Sequence, residues 1–148
     1  MDRRQFIGAV SAASAVALGA GCAVPAPSGG RGKVVVIGAG YGGATAAKYI
    51  RMWSGGAVEV IVVEPNDAFV SCPISNMVLS GVKRMDDITT PYDNLVRRHG
   101  VRWVKDTATA IDADKREVRL AGGDTLPYDR LVLSPGIDFM WDALPGLN

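Results

Sequence analysis

The stretch from Lys33 to Glu64 constrains the fold more than any other part of this 148-residue chain. An apolar run at 34–37 leads into a glycine-rich turn, which is followed by helix formers at 44–52 and a second apolar run at 58–63. Glu64 comes directly after that run. The order predicts strand, turn, helix, strand and acid, which is the arrangement with which a βαβ unit binds a dinucleotide.

Three glycines and the acid have distinct roles in this prediction. Gly38 permits the tight turn out of the first strand, Gly40 leaves room for a pyrophosphate, and Gly43 lets the helix pack closely on the sheet. The N-terminus of the helix offers unpaired N–H groups and the positive end of its dipole to phosphates. Glu64 is placed to accept both hydroxyls of an adenosine ribose and to repel a 2′-phosphate, which disfavours NADP. The alternative is a structural glycine turn without a ligand.

The composition is that of a globular protein and offers little chemistry of its own. Hydrophobic residues make up 48% of the chain and the net charge is +1, so neither nucleic acid nor an acidic partner is indicated. With two cysteines and one histidine, the sequence shows no disulfide framework, no metal-ligand spacing and no Ser-His-Asp pattern. We therefore predict no catalytic side chain and no metal ligand, and expect a cofactor to supply most of the chemistry.

The N-terminal segment, residues 1–31, has the pattern of a twin-arginine export signal and spacer. Arg3 and Arg4 precede a weakly hydrophobic stretch at 8–23, and a Pro/Ser/Gly-rich spacer follows. The stretch is shorter than the about 20 residues that span a bilayer, which disfavours a transmembrane anchor. We therefore expect export to the periplasm, with the folded domain at 32–148.

Cys22 leaves a second fate open for this segment. A lipidated Cys22 would attach the protein to a membrane, whereas an ordinary cleavage would remove it. Gly19 stands where a lipidation motif has a large aliphatic residue, so simple removal is favoured. Membrane association is therefore expected only if Cys22 is lipidated.

Cys72 is the only cysteine beyond the signal region, and it stands directly before Pro73. A residue before proline is pushed out of the helical region, and proline favours the first helical position, so a short helix is predicted from Pro73 towards Ser80. A thiol at a helix N-terminus has its anion stabilised. A reactive or cofactor-linked cysteine is therefore favoured over a buried, inert one.

The remainder of the chain predicts one more helix and several strands. The segment 85–100 begins with acids and ends with bases and a glycine, and its helix proper is expected to start near Pro91. His99 belongs to the basic last turn rather than to a catalytic group. The three tryptophans are expected to pack in the core or at an interface. Strands are predicted at 101–104, on both sides of the turn at 122–124, and at 130–133.

Several segments resemble, in the same order, the flavoprotein subunit of flavocytochrome c sulfide dehydrogenase, a member of the glutathione-reductase-like flavoproteins. These segments are the twin-arginine leader, KVVVIGAGYGGATAAKYI, VEVIVVEPN, SCPISN, DTATAID and YDRLVLSPGI. The resemblance covers 32–148. It implies an α/β, Rossmann-like FAD-binding domain of the glutathione-reductase type, which is incomplete here.

The resemblance also implies roles for individual residues. Cys72 would hold FAD covalently by a thioether to its 8α-methyl carbon, Ala108 would contact the adenine through its backbone, and Gly136 would bring the chain back beside the cofactor. The implied cofactor-binding residues are Gly38, Gly40, Gly43, Glu64, Cys72, Ala108 and Gly136. The family oxidises sulfide in the periplasm and passes the electrons through FAD to a cytochrome c subunit. Its sulfide-reactive cysteine pair lies further along a longer chain, so we expect this one to carry the FAD half-site without the substrate site.

Two other functions stay open. The segment 69–73 also resembles NADH oxidases and coenzyme A disulfide reductases, in which one cysteine cycles through sulfenic acid or a mixed disulfide and NAD(P)H reduces the flavin. The export leader weighs against this function, because those enzymes are usually cytoplasmic. The other possibility is an inactive FAD-binding or subunit-docking fragment, which the short length of the chain favours.

Overall fold

The computed structural model describes residues 32–138 together with residues 140 and 146. The predicted signal segment and Trp141 therefore lie outside the described residues. The described part contains nine strands, which are β1 Lys33–Ile37, β2 Glu59–Val63, β3 Ala68–Val70, β4 Thr89–Pro91, β5 Arg102–Val104, β6 Ala108–Asp112, β7 Glu117–Leu120, β8 Thr125–Pro127 and β9 Arg130–Leu133. It also contains four α-helices, which are α1 Tyr41–Trp53, α2 Asn76–Leu79, α3 Met85–Ile88 and α4 Asp93–His99.

The centre of the fold is a four-stranded parallel sheet in the order β5-β2-β1-β9. β1 lies inside it, with Val35 opposite Ile61 of β2 and Leu131 of β9. Val34 and Val36 face one side of the sheet and Val35 faces the other, and all three are buried. A strand covered on both faces needs apolar residues at every position, which explains the unbroken apolar run in the sequence.

Helices cover one face of this sheet. α1 buries Gly43 and Ala47 against it, because these small residues let the helix axis approach the strands closely. Tyr92, at the start of α4, stacks on Trp103 of β5 with ring centroids 4.4 Å apart. Within the described residues, no helix has both the length and the apolar character needed to cross a membrane.

An antiparallel meander of β6, β7 and β8 covers the opposite face. Val118, Leu120 and Leu126 of this meander pack with Val35 and Ile61 of the parallel sheet in one buried cluster. The sheet is therefore enclosed on both sides, and the predicted α/β class with a parallel sheet is confirmed.

A two-stranded ribbon was not predicted from the sequence. β3 and β4 pair antiparallel, with Val70 opposite Thr89 and Ala68 opposite Pro91. The helix proper of the segment 85–100 was expected to start near Pro91, and α4 begins two residues later at Asp93, preceded by α3 and β4. The end of α4 was predicted correctly, since Gly100 adopts a left-handed conformation with φ of 62°.

The cysteine segment also differs in detail from the prediction. Cys72–Ile74 form one 3-10 turn, and α2 follows as a separate turn of helix. Cys72 is thus at the start of a helical turn as expected, but the dipole of a longer helix is not behind it. Of the two described tryptophans, Trp103 packs against the core, whereas Trp53 is 81% exposed.

The burial of Tyr92 predicts a pH dependence of stability. Burial, with a smaller contribution from the Glu64 carboxylate, raises the pKa of Tyr92 from 10.0 to about 12. The folded state thus favours the protonated phenol, so the stabilisation is complete below pH 10 and is lost as the pH rises towards 12. We expect Tyr92→Phe, which keeps the stacked ring, to reduce the loss of unfolding free energy over this interval, as measured by urea unfolding.

Tyr49→Phe is the matched control, because Tyr49 lies at the surface with 36% exposure. This variant should show the same alkaline loss as the unsubstituted protein. An alkaline loss in Tyr92→Phe as large as in Tyr49→Phe would contradict the assignment.

Candidate cofactor site

The candidate site lies at the carboxyl ends of β1, β2 and β9. β2, which follows β1 in the chain, pairs with one side of β1, and β9 pairs with the other side. Ligands of open α/β sheets bind where the strand order reverses in this way. A cavity of about 770 Å³ opens there. Four of the seven predicted cofactor-binding residues line it, namely Gly40, Glu64, Cys72 and Gly136.

Two of the glycines are required by the protein's own packing. Gly38 has φ of +86°, and a Cβ on it would stand 2.1 Å from the carbonyl oxygen of Ser134. A Cβ on Gly43 would stand 1.8 Å from the carbonyl oxygen of Gly38. These contacts pack the glycine turn against the first turn of α1 and the end of β9. No space is left for a side chain at position 38 or 43.

Gly40 differs from both. Its φ of −67° and ψ of −162° are open to any residue, and a Cβ there would meet only Phe69, at an ordinary 3.8 Å. The fold therefore does not need glycine at this position, whereas a ligand lying across the turn would. Gly40 caps the 13-residue α1, whose first turn holds no acidic side chain, so the N-terminus of the helix is free to attract a pyrophosphate.

Glu64 is buried, with 7% of its surface exposed, and its carboxylate is held by three hydrogen bonds. The backbone N–H of Ala39 donates to Oε2 at 2.9 Å. The backbone N–H of Asn66 donates to Oε1 at 3.0 Å, and the side-chain amide of Asn66 donates to the same oxygen at 2.6 Å. A buried charge is stable only with such partners, so the carboxylate is fixed beside the glycine turn before any ligand is present.

The cysteine segment is tied to the start of α1. Cys72 is a free, exposed thiol. The hydroxyl groups of Tyr41 and Ser71 form a hydrogen bond directly beside it, and the ring of Tyr41 meets Phe69 edge-on at 4.6 Å. Cys72 and Gly40 therefore line the same cavity.

Sequence reasoning missed Tyr41 and Asn66. Tyr41 occupies a variable position within the glycine motif, and its hydroxyl finds Ser71 only through the fold. Asn66 stands in Pro65-Asn66-Asp67, a sequence that is typical of a turn and does not by itself indicate a binding residue. The sequence offered one hint of this role, because Asn66 stands two residues after the acid that ends a strand and its amide can donate to that carboxylate.

Ala108 and His99 lie elsewhere. Ala108 begins β6, is half-buried in the core cluster beneath the meander, and does not line the 770 Å³ cavity. His99 ends α4, and its carbonyl accepts a hydrogen bond from the guanidinium of Arg51. Across residues 32–138, no group of three or more His, Cys, Asp or Glu side chains is placed to hold a metal ion.

Comparison with known proteins identifies the family. Residues 32–148 match the pyridine nucleotide-disulphide oxidoreductase family. The chain belongs to this family. Its members are flavoprotein oxidoreductases that bind FAD, and the flavoprotein resemblance drawn from the sequence is thereby confirmed. Gly40, which lines the cavity without a side chain, and the oriented carboxylate of Glu64 fit the pyrophosphate and ribose of such a cofactor.

Three relatives illustrate the similarity of this family member. It is 51% identical to the sulfide dehydrogenase [flavocytochrome c] flavoprotein chain of Chlorobaculum thiosulfatiphilum over 49 residues, which is 33% of this chain and 100% of that sequence. It is 28% identical to the mitochondrial sulfide:quinone oxidoreductase of Dictyostelium discoideum over 78% of this chain. The structure of sulfide:quinone oxidoreductase from Aquifex aeolicus superimposes with a TM-score of 0.66 at 27% identity, over 71% of this chain. The chain spans about a quarter of the length of the last two proteins, 25% and 24%.

The contrast between two glycines gives a direct test of the site. We expect Gly40→Ala to change the unfolding free energy by no more than about 1 kcal/mol, since its backbone and surroundings accept a methyl group. The same methyl would obstruct the pyrophosphate and weaken FAD binding by about tenfold or more, which is about 1.4 kcal/mol. Flavin titration and urea unfolding measure the two effects.

Gly43→Ala is the matched comparison, because it adds the same methyl three residues away. A Cβ at 1.8 Å from a backbone oxygen forces the helix off the sheet and should cost about 3 kcal/mol of stability. Equal stability losses in the two variants, or unchanged FAD affinity in Gly40→Ala, would contradict the division of roles.

Proposed function

We propose that this chain is the FAD-binding portion of a periplasmic sulfide dehydrogenase flavoprotein. The enzyme would oxidise sulfide and pass the electrons through covalently bound FAD to a cytochrome c subunit. The observation that carries the proposal is the position of Cys72 on the same cavity as Gly40 and Glu64. The 51% identity to a sulfide dehydrogenase flavoprotein and the similarity to two sulfide:quinone oxidoreductases support sulfide as the substrate.

Three residues of the cavity have assigned places in this proposal. Glu64 binds the adenosine ribose, Gly40 and the N-terminus of α1 bind the pyrophosphate, and Gly136 lines the cavity on the side of β9. Bound FAD would supply the capacity to take two electrons from sulfide and release them to the acceptor. The protein's own residues hold and orient it. In this proposal the 148-residue chain binds the cofactor.

Cys72 is the residue proposed to make attachment covalent. Its thiol is exposed, lines the cavity, and is held next to the glycine turn through the Ser71–Tyr41 hydrogen bond. Thioether formation would break one C–H bond of the 8α-methyl group and the S–H bond of Cys72, release both protons and leave two electrons on the flavin, which the cytochrome c acceptor then removes. A tether suits an exported enzyme, because a flavin lost outside the cytoplasm is hard to replace.

A single-cysteine NAD(P)H-dependent flavoenzyme is the second candidate. The observation in its favour is that Cys72 is free and exposed, as a redox-cycling thiol must be. The chain is also 30% identical to a type II NADH:quinone oxidoreductase of Staphylococcus saprophyticus over 80% of this chain. In this candidate the flavin is released intact on denaturation, and NADH reduces it.

The first experiment measures flavin on the denatured protein. We expect the chain, expressed with its own leader in a host with twin-arginine export, to retain flavin mass and fluorescence after acid precipitation. Cys72→Ser should lose this retained flavin, because a hydroxyl does not replace the thiolate as a nucleophile. Flavin that washes away from the unsubstituted chain would favour the second candidate, and no flavin at all would favour an inactive fragment.

Sulfide oxidation is tested on a form that extends beyond Asn148 to the length of the relatives. With flavin bound, sulfide should bleach the flavin absorbance, and cytochrome c should restore it. If a quinone restores the flavin absorbance and cytochrome c does not, the electron acceptor is a quinone and the proposed cytochrome c subunit is contradicted. If NADH reduces the flavin and sulfide does not reduce it, the proposal that sulfide is the substrate is wrong.

Export is tested by changing the twin arginines. The proposed twin-arginine route depends on Arg3 and Arg4, so replacing both with lysine should move the flavin-loaded protein from the periplasm to the cytoplasm. Lys33→Arg, an equally conservative change beyond the signal, is the control and should leave the distribution unchanged. Periplasmic recovery of the twin-lysine variant would contradict the assigned route.

A further inference from the structure

The number of hydrogen-bond acceptor positions left on Glu64 is smaller than a ribose needs. A carboxylate offers about four lone-pair positions, two on each oxygen. Asn66 occupies both positions on Oε1, at 3.0 Å through its backbone N–H and at 2.6 Å through its side-chain amide. The Ala39 N–H occupies one position on Oε2 at 2.9 Å. One acceptor position therefore remains, on Oε2.

An adenosine ribose presents two neighbouring hydroxyls. If Glu64 accepts one of them through Oε2, the other needs a different partner, since an unpaired hydroxyl in a protein site loses the hydrogen bond that it has in water. The simple expectation that Glu64 accepts both hydroxyls is thus at odds with the three hydrogen bonds that the protein already makes to it.

Asn66 is placed to be that partner. Its side chain lines the same cavity as Glu64. Because the amide nitrogen donates to a carboxylate, which only accepts, the orientation of the amide is determined by its chemistry. Within the described residues, the amide oxygen Oδ1 has no donor, so it is an open acceptor on a residue that lines the same cavity as Glu64.

We propose that Glu64 and Asn66 together recognise the ribose diol, with Oε2 of Glu64 taking one hydroxyl and Oδ1 of Asn66 taking the other. This inference rests on the proposed binding of FAD and deepens it by adding Asn66 as a specificity-determining residue. The amide of Asn66 has two tasks. Its nitrogen orients the Glu64 carboxylate, and its oxygen accepts a hydrogen bond from a ribose hydroxyl.

The test uses three ligands that differ only in the adenosine ribose. They are FAD and its analogues with 2′-deoxyadenosine or 3′-deoxyadenosine, and binding is measured by flavin fluorescence. The full chain carries Cys72→Ala throughout, so that the flavin exchanges freely. Asn66→Leu replaces the amide by an apolar group of similar shape and leaves the backbone N–H to Glu64 in place.

We expect Asn66→Leu to weaken FAD binding by about fivefold to tenfold, the loss of one neutral hydrogen bond. It should weaken one deoxy analogue equally and the other by a clearly smaller factor, because that analogue already lacks the hydroxyl that Asn66 holds and loses only the orientation of Glu64. Asn66→Ala removes the same amide, should show the same selectivity, and serves if leucine disturbs folding. Asp67→Ala, which removes the neighbouring side chain that pairs with Lys105, should leave all three affinities within about twofold.

The outcomes separate this inference from the proposed function. Equal weakening of all three ligands in both Asn66 variants would mean that Asn66 acts only on the structure of the site, and would overturn the inference alone. Unchanged affinities in both variants would mean that Glu64 accepts both hydroxyls, and would also overturn it alone. Failure of the chain carrying Cys72→Ala and no other change to bind FAD would overturn the proposed FAD binding and this inference together.

Discussion

The close packing of the glycine turn is the constraint on which the rest of the structure depends. Gly38 turns the chain beneath Ser134, and Gly43 rests on the carbonyl of Gly38, with no volume for a side chain at either position. This contact sets the distance between α1 and the sheet and brings the end of β9 beside the end of β1. The cavity exists because these three elements meet at the carboxyl edge of the strands.

Glu64 adds an electrostatic constraint to that packing. Its carboxylate bridges the end of β2 to the turn after β1 through the Ala39 N–H, so it contributes to the shape of the site before it meets a ligand. A buried charge with a single weak partner would be costly, and the two donors of Asn66 remove that cost. The same hydrogen bonds restrict what the carboxylate can still accept. Stability and recognition are therefore linked in this one group.

The three glycines of the motif are required for different physical reasons, which only the structure distinguishes. The spacing of Gly38, Gly40 and Gly43 predicts a nucleotide-binding turn, but it does not say which glycine the protein needs for itself. The contacts show that Gly38 and Gly43 are needed for packing, whereas a Cβ at Gly40 would make only an ordinary contact with Phe69. A glycine that the packing of the protein does not require is the strongest sign in the fold that a ligand occupies the site.

The sequence by itself determined the central βαβ unit, the acid that ends it and the later strands, because each depends on local chemistry. Apolar runs, helix formers and glycines act within a few residues of their own position, and β9 was predicted with its observed bounds, Arg130–Leu133. Only the tertiary structure decided the β3–β4 ribbon, the Tyr41–Ser71 hydrogen bond and the two donors from Asn66 to Glu64. The ribbon and the Tyr41–Ser71 bond join residues about 20 to 30 positions apart, so their pairing depends on how the sheet and α1 place each segment. Asn66 is close to Glu64 in sequence, but its role depends on the burial that makes the carboxylate need it.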